Sequence, residues 1–449
     1  MPEERTVAEP SVDQQPDKTR RIKNIRWRRR RPNRLLLLLA ILGPGLISAA
    51  AGDDAGGIAT YAQAGASFGY GLLWAMVLLT ISLAVVQEMC ARMGAVTQKG
   101  LADLIREEFG VRWTAFAMLI LLIANLGIIV SEFLGIKASI QVLAGKGTWL
   151  VYLGVPLVAF GVWWLVIKGS YRRVEKIFLV MALALLSYVP AAILAKPDWG
   201  QVLHQTVIPT FTLSGGYIAT FVATIGTTIT PYMQVYTQSA VADKGIQPKD
   251  YGYEKVDVYS GAVFGNLVAF FIIVATGATL FVKQIPINDA ADAARALTPF
   301  AGPFAEGLFA MGLFGASVLA AAVLPLSTSY AICEAFGFER GVSRSFKEAP
   351  VFQSLFTGLI IIGVIVALIP GLPIIAVLVN LQVLNAVLLP ILLVFIVRLA
   401  NKRRLMGRFT NGLIYNIIAW ATTVIIGALA IMYLLFTLIL PLFGVNLGE

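Results

Sequence analysis

Long, uniformly apolar runs separated by short polar connections dominate the chain. A helix needs about 20 mostly apolar residues to cross a bilayer. Runs without a period of two indicate helices rather than the strands of a transmembrane β-barrel. The pattern therefore predicts eleven membrane-spanning helices, near residues 35–65, 68–91, 114–142, 149–167, 176–195, 214–241, 258–282, 305–334, 351–370, 374–398 and 411–440.

The composition agrees with this pattern. Hydrophobic residues make up 58% of the 449 positions and charged residues only 13%, whereas a soluble protein carries about a quarter charged residues. The chain is therefore expected to be a multi-pass protein of the cell membrane.

The Lys and Arg residues predict its orientation. The stretch 18–34, "KTRRIKNIRWRRRRPNR", holds ten of them immediately before the first span, so the amino terminus is predicted to be cytoplasmic. Alternating from there places 30 of the 35 basic residues on the inner side and the carboxy terminus outside. The net charge of +10 thus reflects topology and contact with anionic lipid of the bilayer, and no nucleic-acid partner is expected.

The first span contains "AAAGDDAGGIATYAQAGA", residues 49–66, with Asp53 and Asp54 side by side. A charge at the bilayer centre costs several kcal/mol unless it faces protein, water or an ion. The flanking glycines lower helix propensity, and unwound backbone is tolerated at that depth only where it lines a cavity. The stretch predicts a cation site; a kinked helix whose carboxylates bond to neighbours is the alternative.

Span six contains a second interruption, "ATIGTTITPYMQVYTQSA", residues 223–240, in which threonines surround Pro231. Proline removes a backbone donor and clashes with the preceding turn. Spans one and six lie five helices apart, which is the separation expected of two inverted five-helix repeats. Paired interruptions in corresponding helices indicate a binding site at the membrane midplane.

The first interruption resembles a known family. "GPGLISAAAGDDAGGIATYAQAGASFGYGLLW" is similar to the first span of the NRAMP divalent-metal transporters, whose hallmark Asp-Pro-Gly-Asn is followed by Gln-Ala-Gly. Anchoring on Gln63, Ala64 and Gly65 places the family Asp on Asp54, its Pro on Ala55, its Gly on Gly56 and its Asn on Gly57.

Two further segments extend the resemblance. "VSEFLGIKASIQVL" places a family Glu on Glu132, and "LQVLNAVLLP" places on Gln382 a Gln that the family uses near the ion. The resemblance implies an all-α polytopic membrane protein of the leucine-transporter-type fold, with eleven transmembrane helices, two inverted five-helix repeats, and helices 1 and 6 unwound at mid-membrane. Together with the polar and basic composition of the amino-terminal stretch and the alternation of the spans, this predicts three regions: a disordered basic cytoplasmic segment (1–34), a transport core (35–398), and a cytoplasmic loop, last span and extracellular terminus (399–449).

The departures from the family suggest which ion is carried. The family methionine before the span-six proline is Thr230 here, and Met233 lies on the other side of Pro231. Thioethers favour transition metals, whereas carboxylates, hydroxyls and water favour Mg²⁺, Ca²⁺ and Mn²⁺. Gly57 removes one further oxygen ligand, which suits a partly hydrated Mg²⁺. The chain therefore resembles the NRAMP-related magnesium transporters, with Mn²⁺ as an additional cargo.

The predicted ion site has Asp54 as its principal ligand. Asp53 points about 100° away on a regular helix and is interpreted either as a ligand or as a charge in the vestibule. Direct or water-mediated contacts are predicted for further positions, each with an interhelical hydrogen bond as its alternative. The set is completed by Gly57, Thr228, Thr230, Gln382 and Asn385.

Energy coupling is the last prediction. The single histidine, His204, lies in an outer loop, and a family Asp near Glu132 is Ile129 here. Uncoupled transport is predicted, driven by a membrane potential that supplies about 4.6 kcal/mol per dication at 100 mV. Glu132 either binds protons or pairs with a buried group such as Asn125 or Gln87.

Three alternatives remain. One is a proton-coupled Mn²⁺ or Fe²⁺ importer that keeps Glu132 as proton acceptor. Another is a sodium-coupled amino-acid transporter of the same fold, which the adjacent carboxylates disfavour because they would repel the substrate carboxylate. An enzyme is not expected, since HExxH, GxSxG and P-loop motifs are missing from the sequence. No cofactor and no obligate protein partner are inferred.

Overall fold

The computed structural model describes residues 54–145, 148–168, 177, 180–249, 251–341 and 344–439. The predicted amino-terminal segment, Asp53 and the last ten residues lie outside the described residues. Regular structure within these ranges is helical, and we number the principal helices in chain order. They are α1 (Ala55–Phe68), α2 (Leu73–Thr97), α3 (Leu101–Phe109), α4 (Val111–Ala144), α5 (Trp149–Ile167), α6 (Tyr188–Leu194), α7 (Trp199–Val207), α8 (Gly215–Thr228), α9 (Pro231–Asp243), α10 (Tyr251–Thr276), α11 (Ala290–Ala294), α12 (Ala305–Phe336), α13 (Pro350–Leu368), α14 (Ile374–Ala400) and α15 (Leu413–Leu434).

Eight helices of the described part are long and apolar enough to cross a membrane. A ninth is added if the segments Val180–Leu194 and Trp199–Val207, which meet at 115°, count as one span. The predicted spans one and six are not among these, because their described helical pieces α1, α8 and α9 have only 14, 14 and 13 residues. For span six, both halves of which are described, this shortness is what an interrupted span predicts; residues 35–53 of the predicted span one lie outside the described residues.

The break in span six follows from local chemistry. Thr230 adopts an extended conformation (φ −75°, ψ 140°), and Pro231 is the first residue of α9. A proline ring disfavours helical geometry in the preceding residue, and its missing N–H is harmless at a helix start. One helix therefore ends at Thr228 and a new one begins at Pro231.

Small residues bring the helices around this break close together. Helix α8 packs along α14, and α1 packs against α8, α10 and α14. A Cβ added to Gly226 would lie 2.7 Å from the backbone nitrogen of Ala386, and one added to Gly65 would lie 2.5 Å from the carbonyl oxygen of Ile273. Glycine at these crossings lets backbones approach in a way that any larger residue prevents.

Candidate functional site

Asp54 stands at the start of α1, where the chain changes from extended to helical. It is the N-cap residue (φ −71°, ψ 168°), and its side chain is only 1% exposed. Its Oδ1 accepts a 2.5 Å hydrogen bond from the backbone N–H of Gly57. A carboxylate at this position satisfies one free N–H of the first turn and lies at the positive end of the helix dipole.

Helix α14 supplies a second partner for this carboxylate. The Gln382 Nε2 lies 3.2 Å from Asp54 Oδ1 and 3.4 Å from Oδ2. The Asn385 Nδ2 donates to Gln382 Oε1 at 2.8 Å, and both amides are fully buried. Because its oxygen already accepts from Asn385, Gln382 presents its N–H groups to Asp54 and orients the carboxylate; ligating an ion through Oε1 requires the amide to rotate.

Gly57 contributes backbone and space. A Cβ at this position would lie 2.7 Å from Thr227 Oγ1 and 3.0 Å from Asp54 Oδ1. The missing side chain thus allows the Thr227 hydroxyl to approach the first turn of α1. Thr227 is buried near the end of α8, so an additional hydroxyl stands beside Asp54.

The two predicted threonines at the break have different surroundings. The Thr228 hydroxyl donates to the Thr224 carbonyl at 2.6 Å and lies 2.9 Å from the hydroxyl of Tyr61 on α1. Thr230 is buried as the N-cap of α9, and its side chain makes no capping hydrogen bond. Thr228 therefore links α8 to α1, whereas the Thr230 hydroxyl is not engaged in capping its helix.

Glu132 reaches the same helix start from α4. Its Oε2 accepts a 3.3 Å hydrogen bond from the backbone N–H of Ala55, and the side chain is 0% exposed. The two neighbours considered from the sequence bond elsewhere: Asn125 donates to Thr328 Oγ1 at 2.8 Å, and Gln87 to Met233 Sδ at 3.4 Å. Glu132 thus adds a second carboxylate to the start of α1.

The donor set is dominated by oxygen. Within the described ranges no three His, Cys, Asp or Glu side chains group as metal ligands, so any ion here relies on amides, hydroxyls, backbone or water besides its carboxylates. The Met233 thioether is held by Gln87. Such a set suits hard dications such as Mg²⁺ and Mn²⁺.

The structure brings most of the predicted positions together. Asp54, Gly57, Gln382 and Asn385 form one connected network, and the predicted ligand Asp53 lies outside the described residues. Sequence reasoning missed Thr227, although it stands among the threonines around Pro231. It also missed the bond between Ala55 and Glu132, which links residues 77 positions apart and which no sequence motif signals.

A polytopic helical protein with a break in span six and a buried carboxylate at the start of α1 has the features of a class of membrane transporters, and comparison with known proteins supports that assignment. A crystal structure of the Eremococcus coleocola manganese transporter, in complex with an aromatic bis-isothiourea substituted compound, aligns with a TM-score of 0.68 at 20% identity, covering 93% of this chain and 90% of that one. Mhp1, a nucleobase-cation-symport-1 family transporter, aligns with a TM-score of 0.56 at 15% identity, covering 88% of this chain and 91% of that one. The predicted leucine-transporter-type fold is confirmed.

The family model described as "Natural resistance-associated macrophage protein-like" matches residues 45–436. The chain belongs to this family of transporters and is not an enzyme. Relatives include the "Divalent metal cation transporter MntH" of Deinococcus radiodurans, 27% identical over 412 residues (89% of this chain, 90% of the relative). Another is the "Metal transporter Nramp2" of Oryza sativa subsp. japonica, 28% identical over 399 residues (85% and 74%).

These comparisons confirm the family and the multi-pass membrane character. They contain no support for a separate magnesium branch. The orientation of the termini and the division into three regions stay predictions.

Proposed function

We propose that this chain transports divalent metal cations across the membrane and that Asp54 is the principal protein ligand of the ion. The observation that supports this most directly is a fully buried carboxylate at the start of α1, surrounded by amide and hydroxyl groups from α8 and α14. A buried charge is costly unless it is paired, and a dication supplies the missing countercharge. The family relationship and the names of the relatives support the same cargo class.

Mn²⁺ is the cargo that the comparisons favour. The relatives' names specify divalent or simply metal transport, and the aligned structure is named a manganese transporter. These names support an Mn²⁺ or Fe²⁺ importer, which was the alternative prediction from the sequence, better than they support Mg²⁺, which was the main prediction. Mg²⁺ is a second candidate, supported by Thr230 in the family's methionine position and by the engagement of Met233 with Gln87. Mn²⁺ and Mg²⁺ both accept oxygen ligands.

The arrangement allows binding and release without rebuilding the site. In the described conformation Gln382 and Gly57 hold the Asp54 carboxylate in place. A partly hydrated ion gains Asp54 as a ligand and keeps several of its waters, whose hydrogen bonds the nearby hydroxyl groups accept. Release follows when α1 and α8 move relative to α14, as expected where substrate sites lie at the interface of inverted repeats.

We propose that metal transport is not coupled to protons and is driven by the membrane potential. Its support is the position of the single histidine, His204, on the short helix α7 between α6 and α8, and the engagement of Glu132 with the Ala55 N–H. Proton coupling through Glu132 is the competing mechanism.

One uptake experiment tests cargo and coupling together. Proteoliposomes receive Mn²⁺, Mg²⁺ or Cd²⁺ outside, and fluorescent reporters inside follow metal and pH. We expect Mn²⁺ and Mg²⁺ to enter without luminal acidification, and Asp54→Asn to abolish uptake. Glu306→Gln, at an exposed carboxyl on the first turn of α12, is the matched control. Acidification that accompanies metal entry contradicts the uncoupled mechanism, and uptake by Asp54→Asn at the wild-type rate contradicts the site.

A further inference from the structure

Two carboxylates from different helices share the first turn of α1. Asp54 accepts the N–H of Gly57, and Glu132 accepts the N–H of Ala55. These are the third and first helical residues, whose N–H groups have no partner within the helix. Each carboxylate therefore accepts a hydrogen bond from a different N–H group at the positive end of the same helix.

The Ala55 donor exists because of a departure from the family motif. Where the hallmark Asp-Pro-Gly-Asn has proline, this chain has Ala55, and proline has no N–H to donate. Ala55 is fully buried, so water does not compete for the bond. A chain with the family proline lacks this link between α1 and α4.

The other oxygen of Glu132 is the second relevant feature. Glu132 Oε1 is buried and has no hydrogen-bond partner among the described residues. Glu132 Oε2 and Asp54 Oδ1 both accept from N–H groups of the first turn of α1, so the two carboxylates lie close together. A buried carboxylate with one oxygen fixed and the other unpartnered, close to a like charge, calls for a cation or its hydration water.

We propose that Glu132 is a second anionic member of the cation site and that the Ala55 N–H is the positioning group that holds it there. This inference rests on the proposed function. Glu132 Oε2 stays on the helix start while Oε1 accepts from a water of the partly hydrated ion. When both are ionised, Asp54 and Glu132 carry two negative charges, which a dication neutralises and a monovalent ion does not.

The test replaces Ala55 with the family's residue. Proline fits the position: Ala55 is the first residue of α1, and Asp54 before it is already extended. Ala55→Pro therefore deletes one N–H, and Ala55→Gly, which keeps the N–H, is the matched comparison. Removing a hydrogen bond to a charged group predicts a KM for Mn²⁺ about ten- to a hundredfold higher in the proline variant than in the glycine variant. The maximal rate changes less, because the bond acts on ion binding.

A double-mutant cycle separates this role from simple helix stabilisation. Glu132→Gln alone raises KM, and Ala55→Pro added to it causes little further change if the N–H acts through Glu132. Equal KM values for the proline and glycine variants, or fully additive effects in the cycle, overturn the inference. If Ala55→Pro does not fold, Mn²⁺ titration calorimetry on Glu132→Gln decides: at least tenfold weaker binding supports the inference, and unchanged binding overturns it. Loss of uptake in Asp54→Asn alongside unchanged KM in these variants refutes only the inference and leaves the proposed function intact.

Discussion

The crossing of α8 and α14 makes a quantitative prediction at Gly226. A methyl group at this position would lie 2.7 Å from the backbone nitrogen of Ala386 and closer still to the carbonyl oxygen of Gln382. Ordinary van der Waals contact begins at 3.4 Å, so the contact with the Ala386 nitrogen alone requires Gly226→Ala to separate the helices by about 0.7 Å, and the nearer Gln382 oxygen requires more. Both of these neighbours are backbone atoms, which cannot rotate away.

The displacement acts on the ion site through Gln382. Helix α1 packs against both α8 and α14, and we expect α14 to move away from both. The Gln382 Nε2 lies 3.2 Å from Asp54 Oδ1, and about 0.7 Å more takes the pair beyond hydrogen-bond distance. A hydrogen bond to a charged group contributes about 1.5–3 kcal/mol, which corresponds to about a ten- to hundredfold rise in KM. Overpacking adds a cost of about 1–3 kcal/mol in stability, so the variant is also expected to melt at a lower temperature.

The assay is Mn²⁺ uptake in proteoliposomes together with thermal unfolding in detergent. Gly358→Ala is the control, since this glycine lies inside α13 with no atom within 4 Å of an added Cβ. That substitution is expected to leave uptake unchanged and to stabilise the helix by about 0.5–1 kcal/mol. Wild-type KM and melting temperature in Gly226→Ala refute the proposed coupling between this crossing and Asp54.

Three further predictions follow from other contacts. Gly65→Ala places a Cβ 2.5 Å from the Ile273 carbonyl oxygen, so it is expected to lower thermal stability by about 1–3 kcal/mol in the same unfolding assay, and an unchanged melting temperature contradicts it. Thr230→Met adds a thioether to the break in span six and is expected to raise Cd²⁺ uptake relative to Mg²⁺ by about tenfold or more; an unaltered ratio in competition uptake refutes the selectivity argument. The Lys402 ammonium, 2.7 Å from Glu108 Oε2, lowers the pKa of that carboxyl from its usual 4.5, so the stabilisation is complete above pH 4.5 and is lost as the pH falls through the lowered pKa. The stability difference between wild type and Lys402→Met is accordingly expected to shrink on acidification below pH 4.5, and a difference independent of pH contradicts this.

The sequence was most informative where composition and backbone chemistry decide the structure. Apolar runs placed α5 at the predicted residues 149–167 and the start of α12 at Ala305. Pro231 marked the break in span six, because a residue that lacks an N–H and restricts its predecessor determines the backbone locally. Asp54 was identified because burying an unpaired carboxylate in an apolar span costs free energy, so the side chain requires a partner.

Long-range pairings were less accessible. The bond between Ala55 and Glu132 depends on how α4 lies against α1, which no local pattern encodes. The same holds for Gln382, whose amide was expected near the ion and is found oriented toward Asp54 with its oxygen held by Asn385. The choice between Mg²⁺ and Mn²⁺ was also beyond sequence patterns, because both ions accept the same oxygen ligands.

The central claim is that a divalent cation binds at Asp54, at the start of α1. Crystals of the protein grown with Mn²⁺ and measured at the manganese absorption edge test it directly. We expect an anomalous peak about 2–2.5 Å from an Asp54 carboxylate oxygen, and its disappearance in Asp54→Asn. A strong peak elsewhere in the membrane-spanning region, with none at Asp54, contradicts the claim.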